Sequence, residues 1–321
     1  MLLAVVAYVA LWVVIPRVSI AACAAPLISK VSSFAPVSAS CYVTAAAFAL
    51  AAVPTIAFML AQLAIVFFFA KLDLDLRRGL FVFAGCLVGI AIVTAAIVLG
   101  PVSRTGRIPT ARETAAILGF YYGPLRIVHS LLVMFLATLV GVLVAPRVKD
   151  KNLLLPVVIF AAFIDPWTVL YGPVATVLRR APEITRAVSV PIPHAGTGAF
   201  IPSTMIGPGD FLFVALVFAA VHRLKMNESR SFWFVSSAMI AGMLLVAFDV
   251  LPYLPALIAL AIGVIVAHRK EFKLSRDEKV SVAVVACILT ATLPLGWYLL
   301  SRCVQPVNLP GRPASTRSDP R

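Results

Sequence analysis

Apolar runs long enough to cross roughly 30 Å of hydrocarbon recur from one end of this chain to the other, and nothing else in the sequence constrains its fold as much. A bilayer offers the backbone no hydrogen bonds, so each run is expected to be a helix, which satisfies its own N–H and C=O groups. The runs fall at 2–16, 42–70, 79–101, 127–146, 152–172, 204–222, 231–249, 252–267 and 279–300, which makes about nine helices. With 62% of its 321 residues hydrophobic and 12% charged, the chain has too little polar surface for a soluble core or for a soluble domain on one anchor. The expected fold is an all-α, multi-pass integral membrane protein, placed in a prokaryotic cytoplasmic membrane. Residues 1–150 are read as amino-terminal transmembrane helices, about four of them, and 151–301 as a second transmembrane bundle. Residues 302–321, polar and carrying Pro and Arg, read as a disordered tail.

The net charge of +14 does not point to nucleic acid, because the basic residues sit in short clusters between apolar runs, where Lys and Arg meet lipid headgroups. The five cysteines, at 23, 41, 86, 287 and 303, form no CxxC pair and read as small hydrophobes. His129 and His222, at helix edges beside Arg126 and Arg223, and the loop residues His194 and His268 make no pair at ligand spacing, so neither metal nor cofactor is expected. Trp167, Trp233 and Trp297 fit interfacial anchoring. The first run is read as a retained helix; the other reading is a signal segment cut near Ala21–Ala25. Segments 17–41 and 103–126 are less apolar, and either has room for a short interfacial helix. The five basic residues between 269 and 279 favour placing that segment inside, which turns the connection between the fifth and sixth runs outward.

Three of the eight aspartates, Asp165, Asp210 and Asp249, interrupt apolar runs, whereas the other five and all five glutamates lie in polar segments. An ionised carboxylate at bilayer depth costs several kcal/mol, so it persists where it faces water, finds a partner or stays protonated. Asp165 precedes the Gly172-Pro173 breaker by seven residues, about 10 Å of helix, and Asp210 follows Ser203 by the same interval. Two antiparallel helices joined by 174–203 would carry both carboxylates to similar depth. Facing carboxylates in a poorly solvated site share one proton, the arrangement in which one acts as base toward water and the other as acid toward a carbonyl. Pro166 removes a backbone donor beside Asp165, while Gly207 and Gly209 permit close approach and unusual dihedrals before Asp210. Asp249 reads as a cap for the helix that follows it.

Gly207-Pro208-Gly209-Asp210-Phe211 matches the GxGD signature, and Pro255-Ala256-Leu257, one apolar segment later, matches a PAL motif. In these residues the chain resembles the presenilin and signal peptide peptidase family of intramembrane aspartyl proteases, over about residues 160–260. The resemblance implies a presenilin-like bundle and an aspartic endopeptidase that hydrolyses single-pass membrane proteins or leftover signal peptides within the bilayer. Asp165 and Asp210 would be the catalytic pair, Gly207, Gly209, Pro255, Ala256 and Leu257 would shape the substrate site, and 185–202 would form a mobile connection over the entrance. The chain departs from the family pattern at Ile164, where a tyrosine is usual, and in the apolar run at 279–300 after the PAL helix. Prepilin peptidases also carry GxGD but follow it with a lysine where this chain has Leu212. Outside proteolysis, the alternative is a proton-coupled transporter using the two aspartates as a relay, which predicts inverted repeats that the sequence does not display.

Overall fold

The computed structural model describes residues 1–15, 37–72, 74–121, 123–170, 177, 180–192, 205–247 and 256–272, with scattered positions between 276 and 292. Among these, the helices are α1 (Leu2–Val14), α2 (Val37–Ala70), α3 (Leu76–Thr105), α4 (Ala111–Phe120), α5 (Pro124–Val144) and α6 (Lys151–Leu170). They continue with α7 (Pro182–Val188), α8 (Pro208–Arg223), α9 (Glu228–Ala247) and α10 (Ala256–His268). Local chemistry fixes their ends. Asp75 caps α3 by accepting from the Leu76 amide at 2.9 Å, and Gly106 closes that helix at φ 65°. Thr110 and Glu113 form a reciprocal capping box on α4, and the Asn227 side chain accepts from the Arg230 amide at 2.9 Å to start α9.

Eight of the nine expected runs coincide with helices, and the segment 103–126 holds a short one, α4. The ninth run, 279–300, and the tail lie largely outside the described residues. Nine spans are not what the described residues display: four helices are long and apolar enough to cross a bilayer, over Ala52–Ala70, Leu76–Ser103, Pro124–Arg147 and Lys151–Thr168. The others fall short for identifiable reasons. α1 and α10 have 13 residues each, α8 has 16, and α9 opens on the polar stretch Glu228-Ser229-Arg230-Ser231. The chain is thus a mostly helical protein with spans fit for a membrane.

α8 sits at the centre. It packs against α2, α5, α6, α9 and α10, and every residue from Val214 to Val221 is buried, as expected of a helix apolar on all sides. Its closest neighbour is α5, at Gly141. A methyl group added there would lie 2.2 Å from the Leu212 carbonyl oxygen and 2.9 Å from the Ala215 Cβ, so only glycine permits this approach. Ala137, Gly141 and Ala145 recur every four residues along α5 and its C-cap, and Ala215 and Ala219 do so on α8, the small-residue spacing that lets membrane helices approach backbone to backbone. Gly263 plays the same part between α10 and α9, where an added Cβ would lie 2.7 Å from the Val235 Cα.

The helices alternate in direction, so their ends define two faces. One face holds the turns between α2 and α3, α5 and α6, and α8 and α9, together with the end of α10. Lys71 pairs there with Glu228 at 2.5 Å and Lys151 with Glu271 at 3.8 Å. The opposite face carries α4, α7 and the beginnings of α5, α8 and α10. It also holds the one strand pairing among the described residues: an antiparallel ribbon pairing β1 (Val190–Pro191) with β2 (Met205–Ile206), Val190 opposite Ile206 and Pro191 opposite Met205. Strands of two residues are too short for an alternating pattern to announce them. The connection expected to be mobile over 185–202 is in part α7 and β1. Its residues 193–202 lie outside the described residues.

Candidate functional site at the aspartate pair

Both aspartates stand toward the second face. Asp165 lies fifteen residues into α6, followed at once by Pro166, whose missing N–H leaves the Ala162 carbonyl without its usual helical donor. The Thr168 hydroxyl donates to the Asp165 carbonyl oxygen at 3.0 Å, a back-bond of the kind that bends helices. Asp165 is half-buried, while the next residue but one, Trp167, is 41% exposed, and Trp233 is 59% exposed. Both indoles therefore project from the bundle. Trp297 lies outside the described residues.

Asp210 occupies the third position of α8, where helix amides lack internal partners. Its carboxylate Oδ2 accepts from the Gly207 amide at 3.2 Å, and its own amide donates to the Gly207 carbonyl at 3.2 Å. Pro208 occupies the first helical position, where its fixed φ suits the helix and no amide is needed. The expectation that the two glycines adopt unusual dihedrals is corrected. Gly207 is extended at φ −72°, ψ 152°, Gly209 is helical, and among the described residues Gly106 alone of the glycines has positive φ. A Cβ at Gly207 would make ordinary contact with Asp210 Oδ2 at 3.7 Å, and one at Gly209 would meet nothing within 4 Å. Gly209 is exposed, so the first turn of α8 presents bare backbone next to Asp210.

α6 packs on α8, and the two aspartates stand on these neighbouring helices toward the same end of the bundle. A third element completes the site. α10 opens on Ala256 and Leu257, and the Leu257 amide donates to Asp165 Oδ2 at 3.1 Å, across 92 residues of sequence. This amide is one of the four at a helix start with no partner inside the helix, so its bond with the carboxylate satisfies both groups. The Leu257 side chain is buried and holds the helix start in place. Pro255 and Asp249 lie outside the described residues.

The arrangement therefore sets two acids, each held by a helix-start amide, beside an open backbone surface and a short ribbon whose strand β2 ends one residue before Gly207. Chemically it can hold a water, a carbonyl or a shared proton. Among the described residues no three His, Cys, Asp or Glu side chains gather, so no metal-ligand set is defined there. His222 and His268 instead bond Glu228 and Glu271, at 2.7 and 2.9 Å. Two contributors to the site escape notice in the sequence. Gly141 sets the depth of α8, and the spacing of Ala137, Gly141 and Ala145 is the signal that points to it. Arg126 is buried on the same face, and a basic residue before an apolar run gives no sign of that. Comparison with known proteins finds no matching family model, curated protein or solved structure.

Proposed function

We propose that this chain is an intramembrane aspartic endopeptidase of the presenilin and signal peptide peptidase type, with Asp165 and Asp210 as its catalytic pair. The observation that carries the reading is the meeting of three motif-bearing segments far apart in sequence. Asp165 and the Leu257 amide are joined by a 3.1 Å bond, and Asp210 opens α8, which packs against both α6 and α10. The same reading takes the bundle as presenilin-like, with further spans at the shorter helices and at 279–300.

In this mechanism the pair holds one proton. The ionised carboxylate takes a proton from a water, whose oxygen attacks the scissile carbonyl carbon, while the protonated partner gives its proton to the carbonyl oxygen. The tetrahedral diol then collapses: the C–N bond breaks as the nitrogen takes a proton from the protonated carboxyl, the ionised carboxylate takes a proton from one diol hydroxyl to re-form the C=O, and a carboxylic acid and an amine leave with the pair again holding one proton. An extended peptide is the form a protease must present to such a pair. The β1–β2 ribbon supports this, because among the described residues it is two-stranded and stands beside Gly207, where its backbone groups can serve a chain passing toward Asp210. Bare backbone at Gly209 leaves room for it. Substrates are accordingly single-pass membrane segments or signal peptides, reached from the lipid.

The test is inhibition in proteoliposomes. Peptidomimetics with a hydroxyl in place of the scissile carbonyl imitate the tetrahedral state and should block cleavage, whereas chelators should leave it intact. The rate should fall on both sides of a pH optimum. Cleavage lost to a chelator and restored by zinc would place the protein in another mechanistic class.

A further inference from the structure

The guanidinium of Arg126 is buried, with 1% of the residue exposed, in the first turn of α5. Its Nη2 donates to the Arg186 carbonyl at 2.6 Å and to the Ser189 carbonyl at 3.1 Å, and Nη1 donates to the Ala187 carbonyl at 3.1 Å. These acceptors have a common origin. α7 has only seven residues, so its last carbonyls find no donors within the helix, and the planar fork of an arginine can serve several at once. The segment that Arg126 grips runs directly into β1 at Val190. β1 pairs with β2, and β2 ends at Ile206, one residue before Gly207, whose amide holds the Asp210 carboxylate. The other end of α7 is tied independently: Glu183 pairs with Arg112 of α4.

We infer that Arg126 is a positioning residue for the aspartate site, an inference that rests on the protease reading. It fixes the end of α7, and through the β1–β2 ribbon it sets where Gly207 and the first turn of α8 lie relative to Asp165. A cation this deeply placed at a membrane helix start is otherwise costly, and the bond set explains its retention. The structural chain is continuous: guanidinium, three carbonyls, ribbon, Gly207 amide, Asp210 carboxylate.

The experiment uses the full chain in proteoliposomes, with Arg126→Gln and Arg126→Lys, and two readouts. Amide hydrogen exchange should show protection lost over 182–192 and 205–210 in Arg126→Gln but kept in the buried part of α8. Steady-state cleavage of a single-pass substrate should show kcat lowered roughly tenfold or more, because the acid is misplaced, with KM raised as well, because the ribbon that receives the peptide moves with it. Arg126→Lys, a point charge that reaches fewer carbonyls, should fall between. Unchanged exchange in those segments overturns the inference, as does kcat within about twofold of wild type once they exchange freely, or protection lost throughout the bundle in both variants. Wild-type protein that cleaves nothing overturns the protease reading and the positioning role together, while the exchange arm still reports whether the clamp holds the ribbon.

Discussion

Gly141→Ala offers a steric test of how the aspartate pair is set. The new methyl would stand 2.2 Å from the Leu212 carbonyl oxygen, two residues beyond Asp210. A carbon and a carbonyl oxygen settle at about 3.3 Å, so α8 must retreat from α5 by about 1 Å. Overpacking of this kind costs about 1–3 kcal/mol, offset in part by the roughly 1 kcal/mol that alanine gains over glycine in a helix. The net loss of stability is therefore small, about 1 kcal/mol. The effect on rate should be much larger, because a 1 Å misplacement of a reacting group costs about a hundredfold. The assay is cleavage of a single-pass substrate in proteoliposomes, normalised to folded protein by thermal unfolding. Gly85→Ala on α3, where an added Cβ meets nothing within 4 Å, is the control and should act like wild type. Equal rates for Gly141→Ala and Gly85→Ala would refute the claim that the α5–α8 approach sets the geometry of the pair.

Other predictions follow from individual bonds. Leu257→Pro removes the amide that holds Asp165 at 3.1 Å, at a first-turn position that tolerates proline, and with it a charge-assisted bond of about 1.5–3 kcal/mol. Rate per folded molecule should fall well below that of Leu257→Ala, which trims the side chain but keeps the amide; the reverse order would contradict this role. Lys71, 2.5 Å away, and then His222, at 2.7 Å, hold the Glu228 carboxyl below the usual glutamate range. A carboxyl depressed in the folded state stabilises above its unfolded range and loses that contribution as pH falls through its folded value. Because the pair is partly exposed, its worth is under about 1 kcal/mol. Unfolding midpoints should thus drop less between neutral and acid pH in Lys71→Met than in wild type. Asp249→Asn, which keeps an acceptor oxygen for the expected cap, should retain substantial cleavage, and an inactive protein would add a third acid to the mechanism.

Helix positions were legible because a bilayer leaves an apolar run one regular structure, and runs such as 127–146 and 152–172 land on α5 and α6. Which of them span was not legible, since α8 and α10 reach only 16 and 13 residues. The aspartates could be singled out because a carboxylate among apolar residues demands an explanation. The Leu257 amide that holds Asp165 could be anticipated only through the motif, for a backbone donor leaves no mark of its own in a sequence. The ribbon at Val190 and Ile206 is too short for a period-two pattern, and Arg126 resembles any basic residue at a membrane edge until its three carbonyl partners are seen. Gly141 was readable in principle from its four-residue spacing with Ala137 and Ala145.

The most direct test of the central claim is mass-spectrometric detection of cut peptide from a single-pass membrane substrate incubated with purified protein in liposomes. Wild type is compared with Asp165→Asn and Asp210→Asn. An amide keeps the shape of the acid and cannot take part in the shared-proton exchange, so each variant should insert at normal abundance and release no product above background. Cleavage within the membrane segment by wild type and by neither variant is the predicted result. Product released by either asparagine variant at a rate near wild type would contradict the assignment of Asp165 and Asp210 as the catalytic pair.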